Sequence, residues 1–375
     1  MKKIVMPDYT KSIVNMMASI RKHYGLDINY NTLPSLDEEL KKNYKNVIIV
    51  LLDGMGTKII ENSIGTDNFL YKNKKQDYQS IFPPTTVAAT TALLSTKTPI
   101  ENGWLGWHIY MKEIDKDIAM FMNAGYYEDI KYDHSLTDLY MPYVSILDEL
   151  KTVGVTTGDV YPSFRPNGAK DFDEFLVKIK EFIDKEGDKK FAYCYWTEPD
   201  HVLHETGCTS EVTINTIQEL NNKLETFYNE VLDEDTLVIV TADHGHIDIL
   251  DLNLAGYPNI LKLLERLPSI EPRACTFYVK EGKEEEFKNE FNSLWKDDFI
   301  LLTKEEILEK NIFGVGKPHP TTEYTIGQFT ALATNRLTFS YHENLEEEQF
   351  KATHAGLTED EMIIPLILLT KKGSK

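Results

Sequence analysis

The sequence predicts an α/β protein built on a doubly wound, mostly parallel sheet, with a small α/β cap inserted late in the chain. Three observations predict it. The runs 47–52, 191–196 and 236–240 are continuously apolar, as strands covered on both faces are. The segments between them carry helical periodicity, and strands alternating with helices form crossover units with helices on both faces of one sheet. Between residues 256 and 345 that rhythm breaks, so this stretch is expected to fold as a unit of its own.

The run 47–52 ends in Asp53, with Gly54 and Gly56 close behind. An acidic residue at the carboxyl end of a buried strand lies where open α/β sheets bind ligands, although Asp-Gly alone is equally a turn. Pro83 and Pro84 then close an extended segment, and small residues from Thr86 onward begin a helix. A hydroxyl of Thr85 or Thr86 there either caps the helix or meets a phosphate held by its free N–H groups. The run 191–196 leads into Glu198-Pro199-Asp200. If a helix starts after Pro199, Asp200 and His204 fall one turn apart on one face, a spacing that suits two ligands of one cation, while His201 points elsewhere.

A helix is expected over 210–232, with Ile217, Leu224, Phe227 and Val231 on one stripe. After the run 236–240, Asp243 and His244 can both reach one ion if Gly245 turns the chain; His246 reads as a bystander. In the cap, strands are expected at 273–279, 299–302 and 329–334. A helix carrying Phe287, Phe291 and Trp295 spans 283–295, and Thr303 with Glu306 forms a capping box for another. His354 supplies one more imidazole ahead of 363–369, a fourth strand read in the same class, whose Pro365 places it near a sheet edge or delays its start. The glutamates at 346–348 read as a solvated face or loop and the basic tail 371–375 as frayed. The core is thus expected from 1–255 and 346–375, and the inserted cap from 256–345.

A formal charge of −20 repels a polyanion, which argues against a nucleic-acid scaffold but not against a small phosphorylated substrate in a metal-lined pocket. Cys194, Cys208 and Cys275 are too few and too irregularly spaced for a disulfide framework. The first twelve residues lack the apolar core of a signal peptide, and no stretch approaches the roughly 20 apolar residues of a membrane span. The expectation is a cytoplasmic protein without membrane contact; oligomeric state is left open.

Asp53, Asp200, His204, Asp243, His244 and His354 all lie in short polar segments abutting buried strands, and a doubly wound sheet gathers strand ends into one crevice. Three carboxylates with three imidazoles suit two Zn²⁺ ions, or Mn²⁺, better than Ca²⁺, which prefers all-oxygen shells.

The ordered set is familiar. Leu52-Asp53-Gly54, Thr86 four residues after Phe82, Glu198-Pro199-Asp200 with His204, the Asp243-His244-Gly245 turn and the late His354 together resemble the nucleotide pyrophosphatase/phosphodiesterase branch of the alkaline phosphatase superfamily, particularly its compact bacterial members. The resemblance covers about 46–105, 191–246 and 354–369. It implies one metal held by Asp200, His204 and His354, and another by Asp53, Asp243, His244 and the Thr86 oxygen. It implies further that Thr86 attacks phosphorus and carries a covalent phosphothreonine. One departure stands out. The resemblance places the oxyanion-donating Asn of the animal enzymes near Trp107, in Gly103-Trp104-Leu105-Gly106-Trp107-His108, so the donor here is unassigned, with His108 and the Thr86 N–H as candidates.

Among rivals, a sulfatase needs a Cys/Ser-x-Pro-x-Arg motif, which Thr86-Val87-Ala88-Ala89-Thr90 lacks. A phosphomonoesterase, a phosphonate hydrolase and a metal-dependent phosphomutase share the sheet and the metals. Diesters or pyrophosphates, nucleotides among them, are the expected substrates. No Arg or Lys lies in the helix turn after Thr86, the nearest downstream being Lys97, and a dianionic monoester calls for such a cation. Trp107, His108, Arg165 and Arg273 are the candidate substrate contacts.

Overall fold

A computed structural model describes residues 3–342 and 350–371; the glutamates at 346–348 and the tail from 372 lie outside the described residues. The chain forms a six-stranded sheet in the order Lys74–Gln79, Ile363–Leu369, Thr236–Thr241, Asn46–Leu52, Lys190–Trp196, Thr156–Val160. The three apolar runs are its three adjacent central strands, fully buried and mutually parallel. Side chains that face helices on both sides cannot alternate with polar ones, which is why these strands read as unbroken apolar runs.

The strand Ile363–Leu369 corrects one expectation. It is not parallel: it runs antiparallel to both Thr236–Thr241 and Lys74–Gln79. Pro365 is buried beside Asp77, and the pairing shifts register between Leu366 and Ile367, one residue beyond it. The true edge strands are Lys74–Gln79 and Thr156–Val160, whose half-polar sequences carry no apolar run.

The helix Glu211–Glu230 starts at Ser210, whose hydroxyl accepts the Thr213 N–H. It buries Ile217, Leu220, Leu224 and Phe227, spaced three and four apart. A second, entirely antiparallel sheet has seven strands. Four come from the segment read as a cap: Phe299–Thr303, Phe329–Ala333, Ala274–Phe277 and Ser269–Glu271. The other three are His108–Met111, Lys116–Ala119 and Ala124–Gly125, so this sheet draws on two distant chain segments. The helix Glu284–Trp295 lays Phe287, Phe291 and Trp295 on it, and the Thr303–Glu306 capping box is present. Among the described residues no helix is long and apolar enough to cross a membrane.

Candidate functional site

Because the three central strands are parallel and in register, the residues just beyond their carboxyl ends meet. Leu52 is level with Trp196, and Leu51 with Thr241. Asp53 follows its strand directly, Asp243 comes two residues after Thr241, and Asp200 four after Trp196. Helix Asp200–Thr206 does begin after Pro199 and brings His204 Nε2 to 3.4 Å from Asp200 Oδ1. Where the chain turns at Gly245, only glycine fits: a Cβ there would lie 2.0 Å from the Asp360 carbonyl oxygen. That turn delivers His244 and His246 to one crevice. His244 Nε2 is 3.3 Å from Asp53 Oδ1 and 3.8 Å from Asp243 Oδ2, and His354 Nε2 is 3.7 Å from Asp200 Oδ1.

Thr86 opens the helix Thr86–Ser95, half-buried, with Oγ1 3.2 Å from His244 Nε2 and 3.3 and 3.4 Å from the two Asp53 oxygens. All seven residues expected to act together are therefore within one cluster. Ligand atoms of Asp53, Asp243 and His244 lie within 4.8 Å of one another, as do those of Asp200, His244, His246 and His354.

The histidines are oriented as ligands would be. Nδ1 of His204, His244 and His354 faces the carbonyl oxygens of Ala352, Gly245 and Pro84 at 2.9, 3.1 and 3.1 Å. A carbonyl only accepts, so Nδ1 carries the hydrogen and Nε2 turns a lone pair inward. The carboxylates are prepared in the same way. Asp243 Oδ1 accepts the N–H groups of Gly54 and His244, which leaves buried Oδ2 without a hydrogen bond. Asp53 Oδ2 accepts the Tyr195 hydroxyl.

Charge points the same way. Burial, and then the neighbouring Asp200, push the Asp53 carboxyl well above its usual range; burial and Asp53 do the same to Asp243. At Asp200 burial also pushes up, but His204 and His246 outweigh it and hold this carboxyl well below. Burial and the neighbouring imidazoles keep His354 neutral, and burial brings His246 down to about 4. Three carboxylates this close, two of them buried and one half-buried, are stable together as anions only beside compensating positive charge, and a neutral inward imidazole is what a divalent cation binds. The residues present fit a metal site.

His246 corrects the sequence reading: it is no bystander, with Nε2 2.6 Å from Asp200 Oδ1. It is the turn at Gly245 that brings His246 beside His244, which residue spacing alone does not reveal. Tyr195 was also missed, as was Glu271. Glu271 Oε1 accepts the Thr85 hydroxyl at 2.7 Å and the Trp107 N–H at 2.6 Å. Burial pushes its carboxyl up to about 7, against the lowering effect of those two bonds.

The four expected substrate contacts fare differently. Trp107 is partly exposed, its ring 6.4 Å from that of Phe121. Arg165 is exposed over Tyr161, next to Phe164, whose ring lies 6.3 Å from Tyr195. His108 is not turned to the crevice: it is buried in the second sheet, stacked 3.6 Å from Tyr126, with Nδ1 3.6 Å from Asp117. Arg273 is the clear correction. Its guanidinium is fully buried, donating twice to Glu361 at 2.7 and 2.9 Å and to the carbonyls of Leu337 and Asn335. Glu361 in turn accepts the N–H of Gly356, two residues after His354. Arg273→Met should therefore strand a buried carboxylate and lower unfolding stability by roughly 3–5 kcal/mol. Urea denaturation measures it; a loss below about 1 kcal/mol, the scale of an exposed pair, would contradict the structural role.

No curated protein matches the chain. Solved structures do. Murine ectonucleotide pyrophosphatase/phosphodiesterase 5, an inactive variant in complex with AMP, superposes with TM-score 0.65 at 17% identity, covering 85% of this chain and 87% of that one. The human enzyme of that name gives 0.64 at 17%, covering 85% and 87%. Phosphonoacetate hydrolase from Sinorhizobium meliloti 1021, in complex with phosphonoacetate, gives 0.63 at 14%, covering 88% and 92%. At such identities the likeness establishes the fold alone. A family profile matches directly over residues 47–356, from the strand before Asp53 to just past His354, and the chain belongs to the type I phosphodiesterase/nucleotide pyrophosphatase family.

Proposed function

We propose that this chain is a two-metal hydrolase of phosphodiester or pyrophosphate bonds, working through a phosphothreonine on Thr86. The observation that carries the reading is Thr86 Oγ1. It is a hydroxyl at a helix start, 3.2 Å from His244 Nε2 and within 3.4 Å of both Asp53 oxygens. Asp53, Asp243 and His244 with the Thr86 oxygen make one set of ligands; Asp200, His204 and His354, with His246 against Asp200, make the other. Oxygen and imidazole donors suit Zn²⁺ or Mn²⁺. Bound cations would lower the pKa of the Thr86 hydroxyl and neutralise charge on the phosphate oxygens.

Thr86 Oγ1 attacks phosphorus in line, the P–O bond to the leaving group breaks, and the leaving oxygen departs with a proton. Water then attacks the phosphothreonine from the vacated side and restores the hydroxyl, so two inversions give retention. The helix N-terminus offers its first N–H groups to the non-bridging oxygens.

Diesters are favoured by what surrounds the site. Among the described residues, the ion pairs of Asp53, Asp200 and Asp243 are all with histidine, and Arg273 is engaged with Glu361. Neither these carboxylates nor Arg273 thus offers a lysine or arginine for the second charge of a monoester, which leaves exposed Arg165 as the one candidate contact of that charge. The test is kcat/KM under one metal condition for bis-p-nitrophenyl phosphate, p-nitrophenyl thymidine monophosphate, p-nitrophenyl phosphate and phosphonoacetate. The diesters are expected to lead by tenfold or more, about 1.4 kcal/mol of transition-state binding. A monoester lead of that size would make the protein a phosphomonoesterase, and preferential phosphonoacetate turnover a phosphonate hydrolase.

A further inference from the structure

The helix that begins at Thr86 lacks the cap its sequence provides. Thr85 occupies the N-cap position with extended backbone, φ −142° and ψ 146°, and threonine there ordinarily accepts an N–H from two or three residues on. It makes no such bond. Its hydroxyl points instead to Glu271 Oε1 at 2.7 Å. Among the described residues the N–H groups of Thr86, Val87 and Ala88 find no other acceptor.

Glu271 is an unusual partner. It comes from the second sheet, is 4% exposed, and its Oε2 accepts no hydrogen bond among the described residues. The residue before it, Ile270, is fully buried at φ +80°, a left-handed conformation that a β-branched side chain strongly disfavours. The turn before Trp107 is pressed onto that same peptide: a Cβ on Gly106 would lie 2.5 Å from the Ile270 carbonyl oxygen. Strained backbone, a glycine contact and a buried carboxylate thus converge to hold one oxygen between Thr85 and the Trp107 N–H. A fastening that served stability alone would not need to draw a capping hydroxyl away from the helix it should cap.

We infer that Glu271 is a positioning residue that keeps the N-terminus of the Thr86 helix open for phosphate oxygens, by drawing the Thr85 hydroxyl away from the N–H groups of Val87 and Ala88. The inference rests on Thr86 as nucleophile. With Glu271 removed, the Thr85 hydroxyl is free to rotate into the cap and fill the donors a phosphate needs.

The experiment compares the parent with Glu271→Ala, Thr85→Val, the double variant and Thr86→Ala. It records kcat and KM for bis-p-nitrophenyl phosphate, the inhibition constant of orthovanadate, metal content and Tm. Glu271→Ala is expected to lower kcat about 10–100-fold and weaken vanadate inhibition comparably with its metal retained, somewhat less than the roughly 10²–10³-fold of an oxyanion donor removed outright. Thr85→Val alone should change little, roughly threefold or less, because the hydroxyl it removes is already turned away. The deciding result is the double variant: removing the obstructing hydroxyl should restore about fivefold or more of what Glu271→Ala lost, in both kcat and vanadate inhibition. A purely structural fastening gives no such rescue. A double variant no better than Glu271→Ala, or Glu271→Ala at parental kcat, overturns the inference. Should Glu271→Ala not fold, Glu271→Asp, too short to reach Thr85, is held to the same loss and the same rescue. An active Thr86→Ala overturns the nucleophile reading and this inference with it, whereas an inactive Thr86→Ala without rescue overturns only the role of Glu271.

Discussion

Thr86→Ala is expected to lower kcat by about 10³-fold or more while leaving the fold and the metals in place. The side chain is half-buried, and alanine is the better helix former, so loss of the hydroxyl should change unfolding stability by less than about 1 kcal/mol. Its hydrogen-bond partners, Asp53 and His244, keep others: Asp53 the Tyr195 hydroxyl, His244 the Gly245 carbonyl. The neighbouring hydroxyl cannot substitute, because Thr85 is 1% exposed and bonded to Glu271. Steady-state kinetics on a diester, with metal content measured alongside, gives the answer. An inactive Thr85→Ala beside an active Thr86→Ala would move the nucleophile by one residue; both active would remove the covalent intermediate.

The sequence carried most of this site because of where its residues fall rather than what they are. Asp53, Asp200 and Asp243 were legible since each follows an apolar run, and parallel neighbours must bring such ends together. Strand direction was not legible in the same way. Ile363–Leu369 is as apolar as its neighbours, and a strand buried on both faces has one pattern whether it runs up or down, so only pairing revealed it as antiparallel. The edge strand Lys74–Gln79 was invisible because solvent on one side permits polar residues. Isolated charges were read worst. Arg273 and Glu271 are two residues apart in one short segment, yet one is locked to Glu361 and the other reaches Thr85. A charged residue amid apolar ones announces that it has a partner, not who the partner is, and for these two the partners lie 88 and 186 residues away. Strain at Ile270, which aims Glu271, leaves no trace in residue type at all.

Purified protein is expected to contain close to two equivalents of a divalent transition metal, and a strong chelator to abolish turnover. The two sets of ligands are separable by mutation. His354→Ala should empty the set with Asp200 and His204. Asp243→Ala should empty the set with Asp53 and His244, where Asp243 Oδ2 is buried without any hydrogen bond. Stability should follow occupancy. At a free metal concentration 1,000 times Kd, a single site stabilises the fold by about 4 kcal/mol, so the chelated protein should melt well below the loaded one. The pH dependence has a definite sign. Asp53 and Asp243 are raised and so hold protons that a cation must displace, and His204 is raised as well, Asp200 outweighing burial. His354 and His246 are lowered and enter the site already neutral. Metal uptake should therefore release protons, and affinity should fall as pH is lowered from neutral toward the acid range. Folding of the metal-free protein feels the raised carboxyls in the opposite sense. The stability they contribute is present at low pH, below their unfolded values, and is lost as pH rises through their folded ones. The gap in Tm between loaded and chelated protein should accordingly widen from acid to neutral pH. A gap that stays constant or narrows, or full diesterase activity in protein shown to be free of metal, would rule out a metal centre at these residues.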